Sequence, residues 1–390
     1  MVAPVIIVGG SAAGVATAEA LRQLDPAREI IVVSDEAAAA HDRPPLSKQV
    51  LDGSWAPERA ELLPAARKDR LNVEWLLGTR ATALDVTARK LEVKGTTQLE
   101  YSELVIATGV RPRQLSAESP RGVFVLRTLA DSLHLRAAML APGAHLVVVG
   151  GGLIGLEVAA TARKLGVEVT VVEPMPQTLD RRFGELAAAQ LLELHRARGV
   201  RFRFGVGVSD LIVGPAERVS ALRLTDGSMI DATAVLVAIG CVPNVEWLRK
   251  SGLDLTDGVT CDQYGRAAPH VWAAGDVCRG YHPGYGRHLR FEQRLNASQQ
   301  GTAVAANIAG PLRPYVPTPF YWSDQYDVRL QVAGLCAAGA KESCDSVRED
   351  AFVFKFRVDE QLVGALSWNA ATALVPLRRE LGNALAATAA

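Results

Sequence analysis

An α/β architecture with two nucleotide-binding units and a smaller α+β domain is predicted by three observations in the 390-residue chain. Two glycine-rich turns of the same kind lie 141 residues apart, at Val8-Gly9-Gly10-Ser11-Ala12-Ala13-Gly14 and at Gly150-Gly151-Gly152-Leu153-Ile154-Gly155. Each follows an apolar run that reads as a buried parallel strand, Val5 to Val8 and Leu146 to Val149, and each opens into an alanine-rich helical stretch. From Gly310 the composition changes. Pro311, Pro314, Pro317 and Pro319 mark a linker, and strand-like segments such as Phe352-Val353-Phe354-Lys355-Phe356-Arg357-Val358 follow.

In such a unit the strand delivers the chain into a tight turn, and small residues let the backbone approach a pyrophosphate. The helix N-terminus then offers unpaired N–H groups to its charge. In the first unit Ser11 takes the middle glycine position and is small enough to keep that approach open. Its helix, from about Gly14 to Leu24, is broken by Asp25-Pro26, and the strand Ile30 to Val33 ends in Ser34-Asp35-Glu36. Asp35 falls about where a ribose-binding carboxylate belongs. The second unit repeats the plan, with a helix from Leu153 to Leu165, Gly166 as its stop, a strand from Glu168 to Val172, and Glu173 at its end. This internal duplication is the main organising feature.

Two further strands, Leu104-Val105-Ile106-Ala107-Thr108-Gly109 and Val235-Leu236-Val237-Ala238-Ile239-Gly240, end in small residues and are followed by Pro112 and Pro243. Glycine permits close approach and proline stops the strand, so both read as crossings between domains over a bound nucleotide. They bracket the second unit as an insertion. A later strand, Val271-Trp272-Ala273-Ala274, runs into Gly275-Asp276, and a helix from about Asn296 to Ile308 returns to the first domain. The expected division is 1–112 with 241–310, then 113–240, then 311–390, the first two being Rossmann-like dinucleotide-binding domains. The last residues, Ala386 to Ala390, read as frayed or as a helix end.

Composition narrows the function. Lys and Arg number 42 and Asp and Glu 42, a balance that argues against a nucleic-acid binder relying on phosphate neutralisation. With the first strand beginning almost at Met1 and no apolar run near the length of a membrane span, no signal, no membrane association and a cytoplasmic location are expected. The five cysteines, Cys241, Cys261, Cys278, Cys336 and Cys344, show no C-x-x-C and no zinc-like spacing, so no metal site is expected and electrons would pass without a thiol relay.

Several further segments carry a resemblance: Asp42-Arg43-Pro44-Pro45-Leu46-Ser47-Lys48, Tyr101 to Gly109 with Arg111-Pro112-Arg113, Leu126-Arg127-Thr128-Leu129, Leu156-Glu157-Val158-Ala159-Ala160, Ala274-Gly275-Asp276 and Tyr321-Trp322-Ser323-Asp324-Gln325-Tyr326. Through them the chain closely resembles, over nearly its whole length, the FAD-dependent pyridine nucleotide:ferredoxin oxidoreductases that serve bacterial oxygenases. The resemblance implies a glutathione-reductase-like architecture, with FAD in the first domain and NADH, in preference to NADPH, in the inserted one. It also implies hydride transfer from nicotinamide C4 to flavin N5, then single electrons to a small acidic [2Fe–2S] ferredoxin feeding a cytochrome P450 or ring-hydroxylating dioxygenase. That is the NAD(P)H:ferredoxin oxidoreductase class, EC 1.18.1, as a monomer or homodimer.

Residue by residue, the resemblance implies flavin contacts from Gly9, Ser11, Ala13, Gly14, Asp35, Arg43, Pro45, Lys48, Ala81, Ala107, Thr108, Gly109, Arg127, Gly275, Asp276 and Arg294. Asp35 would meet the adenosine ribose and Asp276 the ribityl chain. NADH contacts are implied for Gly150, Gly152, Ile154, Gly155, Glu173, Ile239 and Gly240. Glu173 should accept the ribose 2′-hydroxyl and repel a 2′-phosphate, a preference that Arg181 and Arg182 nearby would soften. Lys48 resembles a lysine beside the isoalloxazine that pairs with Glu157; the ammonium stabilises an electron-rich reduced ring and the carboxylate offsets the cost of burying it. Trp322 resembles a tryptophan at the flavin's solvent edge, facing the acceptor. Lys48, Glu157 and Trp322 are thus expected to tune and position, with no acid–base catalyst needed in the hydride step.

Two positions depart from the pattern: His41 stands where many relatives have tyrosine, read as a packing residue, and Arg294 where many have tryptophan. Arg287, Arg290, Arg294, Arg313, Arg378 and Arg379 are the basic residues expected to form the ferredoxin docking patch. Two alternatives stand beside the reductase: an NADH-sensing flavoprotein of the apoptosis-inducing-factor type, and an NADH oxidase acting on oxygen or a small molecule.

Overall fold

The first two parallel strands, Val5–Val8 and Ile30–Val33, are apolar on both faces and fully buried, which is what a parallel sheet covered on two sides requires. In the computed structural model, which describes residues 3–37, 40–95, 98–175, 179–336 and 339–389, β1 is Val5–Val8 and α1 is Ala12–Leu24. They are followed by β2 at Ile30–Val33, β3 at Glu74–Leu76 and β4 at Glu103–Ile106. The inserted segment contributes β5 (Val123–Phe124), α2 (Leu129–Met139), β6 (His145–Val149), α3 (Leu153–Lys164), β7 (Glu168–Glu173), α4 (Glu185–Ala197), β8 (Arg201–Phe204) and β9 (Ala234–Val237). The chain then returns with β10 (Arg266–Ala268), β11 (Val271–Ala273) and α5 (Arg294–Ala309). It ends in β12 (Phe320–Gln325), β13 (Val328–Gly334), β14 (Lys341–Arg348), β15 (Ala351–Val358), β16 (Gln361–Trp368) and α6 (Ala371–Ala389).

Three sheets organise these elements. The first has the order β10-β11-β4-β1-β2-β3 and is parallel except for its edge strand β10. The second, β8-β7-β6-β9-β5, is parallel throughout. The third, β12-β13-β16-β15-β14, is antiparallel. Registers reproduce the duplication: Val8 lies between Val33 and Ile106, as Val149 lies between Val172 and Val237. A three-stranded antiparallel sheet, Ala81 to Glu100 in one unit and Val208 to Asp231 in the other, precedes the strand that flanks the glycine-turn strand on its other side, β4 beside β1 and β9 beside β6.

The inserted segment leaves and re-enters through two neighbouring strands. Val110–Pro112 pairs antiparallel with Cys241–Pro243, and Thr108 and Asn244 exchange hydrogen bonds beside them, each donated by a side chain to the other's carbonyl at 2.9 Å. One apolar cluster continues from the second sheet into the third, joining Leu156, Phe183 and Leu191 to Leu330, Phe354 and Trp368. The inserted and C-terminal domains therefore share a dry interface. The terminal helix runs to Ala389, so of the two readings of the last residues the helix end holds.

Candidate functional site

The two glycine turns are built alike at atomic detail. Gly9 has φ +119° and a Cβ there would stand 2.2 Å from the Ala107 carbonyl oxygen; Gly150 has φ +111° and its Cβ would stand 2.4 Å from that of Ala238. A Cβ on Gly14 or Gly155 would fall 1.8 Å or 2.2 Å from the carbonyl oxygen of Gly9 or Gly150. Each turn is thus closed tightly on its own helix and on the adjacent crossing strand. Ser11 and Gly152 are the helix N-caps and neither gives a side-chain cap, which leaves first-turn N–H groups for an anion. A Cβ on Gly152 would meet nothing within 4 Å, and Ile154, apolar yet 52% exposed, lies on the same open turn.

The acidic positions differ by one residue between the units. Gly151 faces Glu173, whose Oε2 accepts the Gly151 N–H at 2.8 Å while Oε1 accepts that of Met175 at 2.8 Å. In the first unit Ser34 faces Gly10, and Asp35 follows it, largely exposed and 3.2 Å from Arg80. The Arg182 carbonyl accepts the Tyr321 hydroxyl at 3.3 Å. The Arg181 side chain lies outside the described residues.

The Asp42–Lys48 loop packs against α2 and α3. Pro45 is buried in a short 3-10 helix, Pro44–Ser47. Arg43 is paired with Glu36 and donates to the Arg127 carbonyl at 2.7 Å, while its Nε is buried with no hydrogen-bond partner. Arg127, held before a helix whose capping box is Thr128 and Asp131, reaches Asp276 at 3.3 Å. Burial pushes the Asp276 carboxyl up and Arg127 draws it back. Gly275 stands against Ala13 of α1 and donates its N–H to Gln300 at 2.9 Å. Gly109 lies by Arg127, and Ala81 is buried in the apolar cluster with Val8. An open glycine turn, a buried guanidinium nitrogen awaiting a partner and a buried carboxylate fit a dinucleotide with a polyol chain. On the second unit, Ile239 packs against the inserted sheet, and Gly240, φ +93°, accepts the Arg113 N–H at 2.9 Å.

Between the two turns sits the Lys48–Glu157 pair, Nζ to Oε2 2.6 Å, with both side chains about a tenth exposed. Ser47 donates to the same oxygen at 2.5 Å, and the other, Oε1, accepts from Ser323 at 2.7 Å. Ser323 in turn accepts from Gln325 at 3.0 Å, and Gln325 Oε1 lies 2.7 Å from His195 Nε2. His195 is fully buried, and burial pushes its pKa down to about 4, against the Gln325 hydrogen bond. Its folded value therefore lies below its ordinary one. The stabilising contribution is complete above pH 6.5 and is lost as pH falls towards 4, about 3 kcal/mol in all. Denaturant titrations should show this acid loss, and His195→Gln should flatten it.

Trp322 alternates with Ser323 on β12, beside Phe320 at 6.5 Å between ring centroids, and the Arg378 guanidinium stacks 4.2 Å over Phe320. Of the six arginines expected to dock a partner, two are already engaged, which corrects that expectation. Arg290 is 13% exposed, paired with Asp257 and Glu292, and donates to the Asp276 carbonyl; Arg294 binds Asp42 and Ser298. His41 is buried, in a packing position. Burial and then the Glu292 carboxylate hold the Cys241 thiol up at about 12, and burial holds Cys336 at about 12, so neither is a thiolate. Among the described residues there is no metal-ligating cluster, and no helix is long and apolar enough to cross a membrane.

Sequence reasoning missed Gln300 and the role of Ser47, Ser323, Gln325 and His195. Three of those last four stand inside segments already singled out; His195 carries no signal beyond its place in an amphipathic helix.

The same arrangement recurs in known proteins. Residues 3–301 match the pyridine nucleotide-disulphide oxidoreductase model and residues 320–390 the reductase C-terminal model. The ferredoxin–NAD(+) reductase component of the anthranilate 1,2-dioxygenase system of Burkholderia cepacia is 38% identical, over 98% of this chain and 93% of its own. The reductase in the covalent putidaredoxin reductase–putidaredoxin complex superposes with TM-score 0.93 at 30% identity, covering 98% of this chain and 93% of the other. A ferredoxin reductase of the CYP199A2 system of Rhodopseudomonas palustris does so with TM-score 0.91 at 34% identity, covering 95% and 92%. With its two matched glycine turns, the buried lysine–glutamate pair between them and the matched C-terminal domain, this chain belongs to the pyridine nucleotide-disulphide oxidoreductase family.

Proposed function

We propose that the protein is an NADH:ferredoxin reductase that supplies an oxygenase, a cytochrome P450 or a ring-hydroxylating dioxygenase, with electrons. The observation that carries this reading is the likeness, over 98% of this chain, to the reductase of a covalent putidaredoxin reductase–putidaredoxin complex. FAD, when bound, accepts a hydride and gives up its electrons one at a time. The chain's own residues hold and orient. The first turn and Arg43 would bind the pyrophosphate, Asp35 the adenosine ribose and Asp276 the ribityl hydroxyls. The second turn and Glu173 would bind NADH, and Lys48 with Glu157 would place a compensated positive charge at the junction. Trp322 would face the acceptor. Burial keeps the Cys241 and Cys336 thiols protonated, which supports electron exit without a thiol relay. We place the protein in the cytoplasm because that is where NADH is available.

Cytochrome c reduction by the yellow protein, with and without a bacterial [2Fe–2S] ferredoxin, tests the proposal. Strong stimulation by ferredoxin is expected. Equal rates without it would favour an oxidase, and slow turnover with every acceptor would favour a sensor. The docking surface should include Arg378 and Arg379, so reversing both charges should slow ferredoxin reduction at low salt and spare ferricyanide reduction.

Coenzyme choice supplies another expected result. Replacing Glu173 by serine, the residue found opposite the glycine in the first unit, removes the repulsion of a 2′-phosphate. The NADPH-to-NADH ratio of kcat/KM should rise at least about tenfold. An unchanged ratio would place the ribose elsewhere.

A further inference from the structure

A hydrogen-bonded chain links the Lys48–Glu157 pair to a histidine in the interface between the inserted and C-terminal domains, and its direction follows from one end. Glu157 as a carboxylate only accepts, so Ser323 must donate to its Oε1. With its proton committed, the Ser323 oxygen accepts from Gln325, which must present its NH2 group there. Gln325 then turns its carbonyl oxygen to His195 Nε2, which must carry the ring proton. Nδ1 is left bare, and it accepts from the Tyr326 hydroxyl at 3.2 Å. Burial pushes the Tyr326 phenol up to about 12, so that proton stays in place. Each step points towards Glu157.

We propose that His195, as the neutral Nε2-protonated tautomer, is a positioning residue for the reaction: through Gln325 and Ser323 it fixes the Glu157 carboxylate, and through that the Lys48 ammonium. An amide cannot pass a proton on at ordinary cost, so the chain orients and does not relay. His195, Gln325 and Ser323 are all within 1% of complete burial, inside the apolar cluster shared by the two domains. With such burial an unmade hydrogen bond is costly, which makes the geometry stiff. The inserted domain supplies Glu157 and His195, the C-terminal domain Ser323 and Gln325, and the first domain Lys48. The chain thereby ties the position of the ammonium to the seating of all three domains.

The inference rests on the reductase reading only in assigning the ammonium to the flavin ring. The test uses the FAD-loaded protein. Long-range ¹H–¹⁵N spectra should show His195 as the Nε2-protonated tautomer near neutral pH, a result that does not depend on the electron acceptor. His195→Phe keeps an aromatic ring and removes the donor. Its rate of flavin reduction by NADH should fall about tenfold with KM nearly unchanged, and its flavin midpoint potential should become more negative as the ammonium loosens. Ser323→Ala, a small change that removes the last donor, should reproduce both effects if the phenylalanine variant fails to fold. His195→Gln, which keeps an N–H at the Nε2 position, should restore them. An Nδ1-protonated tautomer, or His195→Phe and Ser323→Ala proteins with wild-type rate and potential, would overturn the proposal. Failure of ferredoxin stimulation alone would sink the reductase reading and leave this test standing.

Discussion

Glu157→Leu is expected to cost about 3–5 kcal/mol of stability, because it leaves the Lys48 ammonium buried without its counter-charge. The site shows why. Lys48 is 9% exposed, its ammonium has Ser47 as its other neighbour at 3.1 Å, and Ser323 would lose the acceptor for its own proton. With Ser47, three buried donors lose their carboxylate acceptor in one substitution. Flavin reduction should slow as well, since Lys48 can escape the penalty only by giving up its proton or swinging away. The double variant Lys48→Met with Glu157→Leu should recover most of the stability and none of the rate. A cycle measured by denaturant unfolding isolates the coupling. If Glu157→Leu alone were as stable as the parent, the pair would not be the buried ion pair that the geometry describes.

The second large effect separates the two nucleotide sites. Gly155→Ala places a Cβ 2.2 Å from the Gly150 carbonyl oxygen, and Gly14→Ala places one 1.8 Å from that of Gly9. Neither contact is tolerable, and the obstacle in each is backbone, so the turn itself must open. Gly155→Ala should yield yellow protein whose KM for NADH is raised by about two orders of magnitude, in line with the loss of a few kcal/mol of binding. Gly14→Ala should yield colourless protein. Flavin absorbance and coenzyme titration score the two independently. A yellow Gly14→Ala protein with normal NADH kinetics would mean that the turn yields without harm.

Both units were legible in the sequence because their signals are local. A buried parallel strand, a glycine turn and an alanine-rich helix occupy some twenty consecutive residues, and nothing distant is needed to read them. Lys48 and Glu157, 109 residues apart, could be joined only through resemblance, since no spacing rule links them; the structure brings them to 2.6 Å. The rest of the chain, Ser323, Gln325 and His195, was invisible because its logic is tertiary. A histidine on the inner face of an amphipathic helix looks the same whether it packs or donates, and its partner lies 130 residues further on. Arg290 and Arg294 erred in the other direction. Sequence showed free cations, and burial against Asp257, Glu292 and Asp42 turned them into structural partners.

The paired crossing strands carry a consequence for how such proteins diversify. Because Val110–Pro112 and Cys241–Pro243 run side by side, the ends of the intervening segment emerge a single strand spacing apart, about 5 Å. A module whose ends meet can be lifted out and another of the same gauge spliced in without moving the rest of the chain. The inserted segment is therefore a cassette. Under the proposed function, grafting at these two strands would exchange coenzyme preference, provided the incoming piece keeps the carboxylate that meets Lys48, the histidine that meets Gln325 and the apolar face shared with the third sheet.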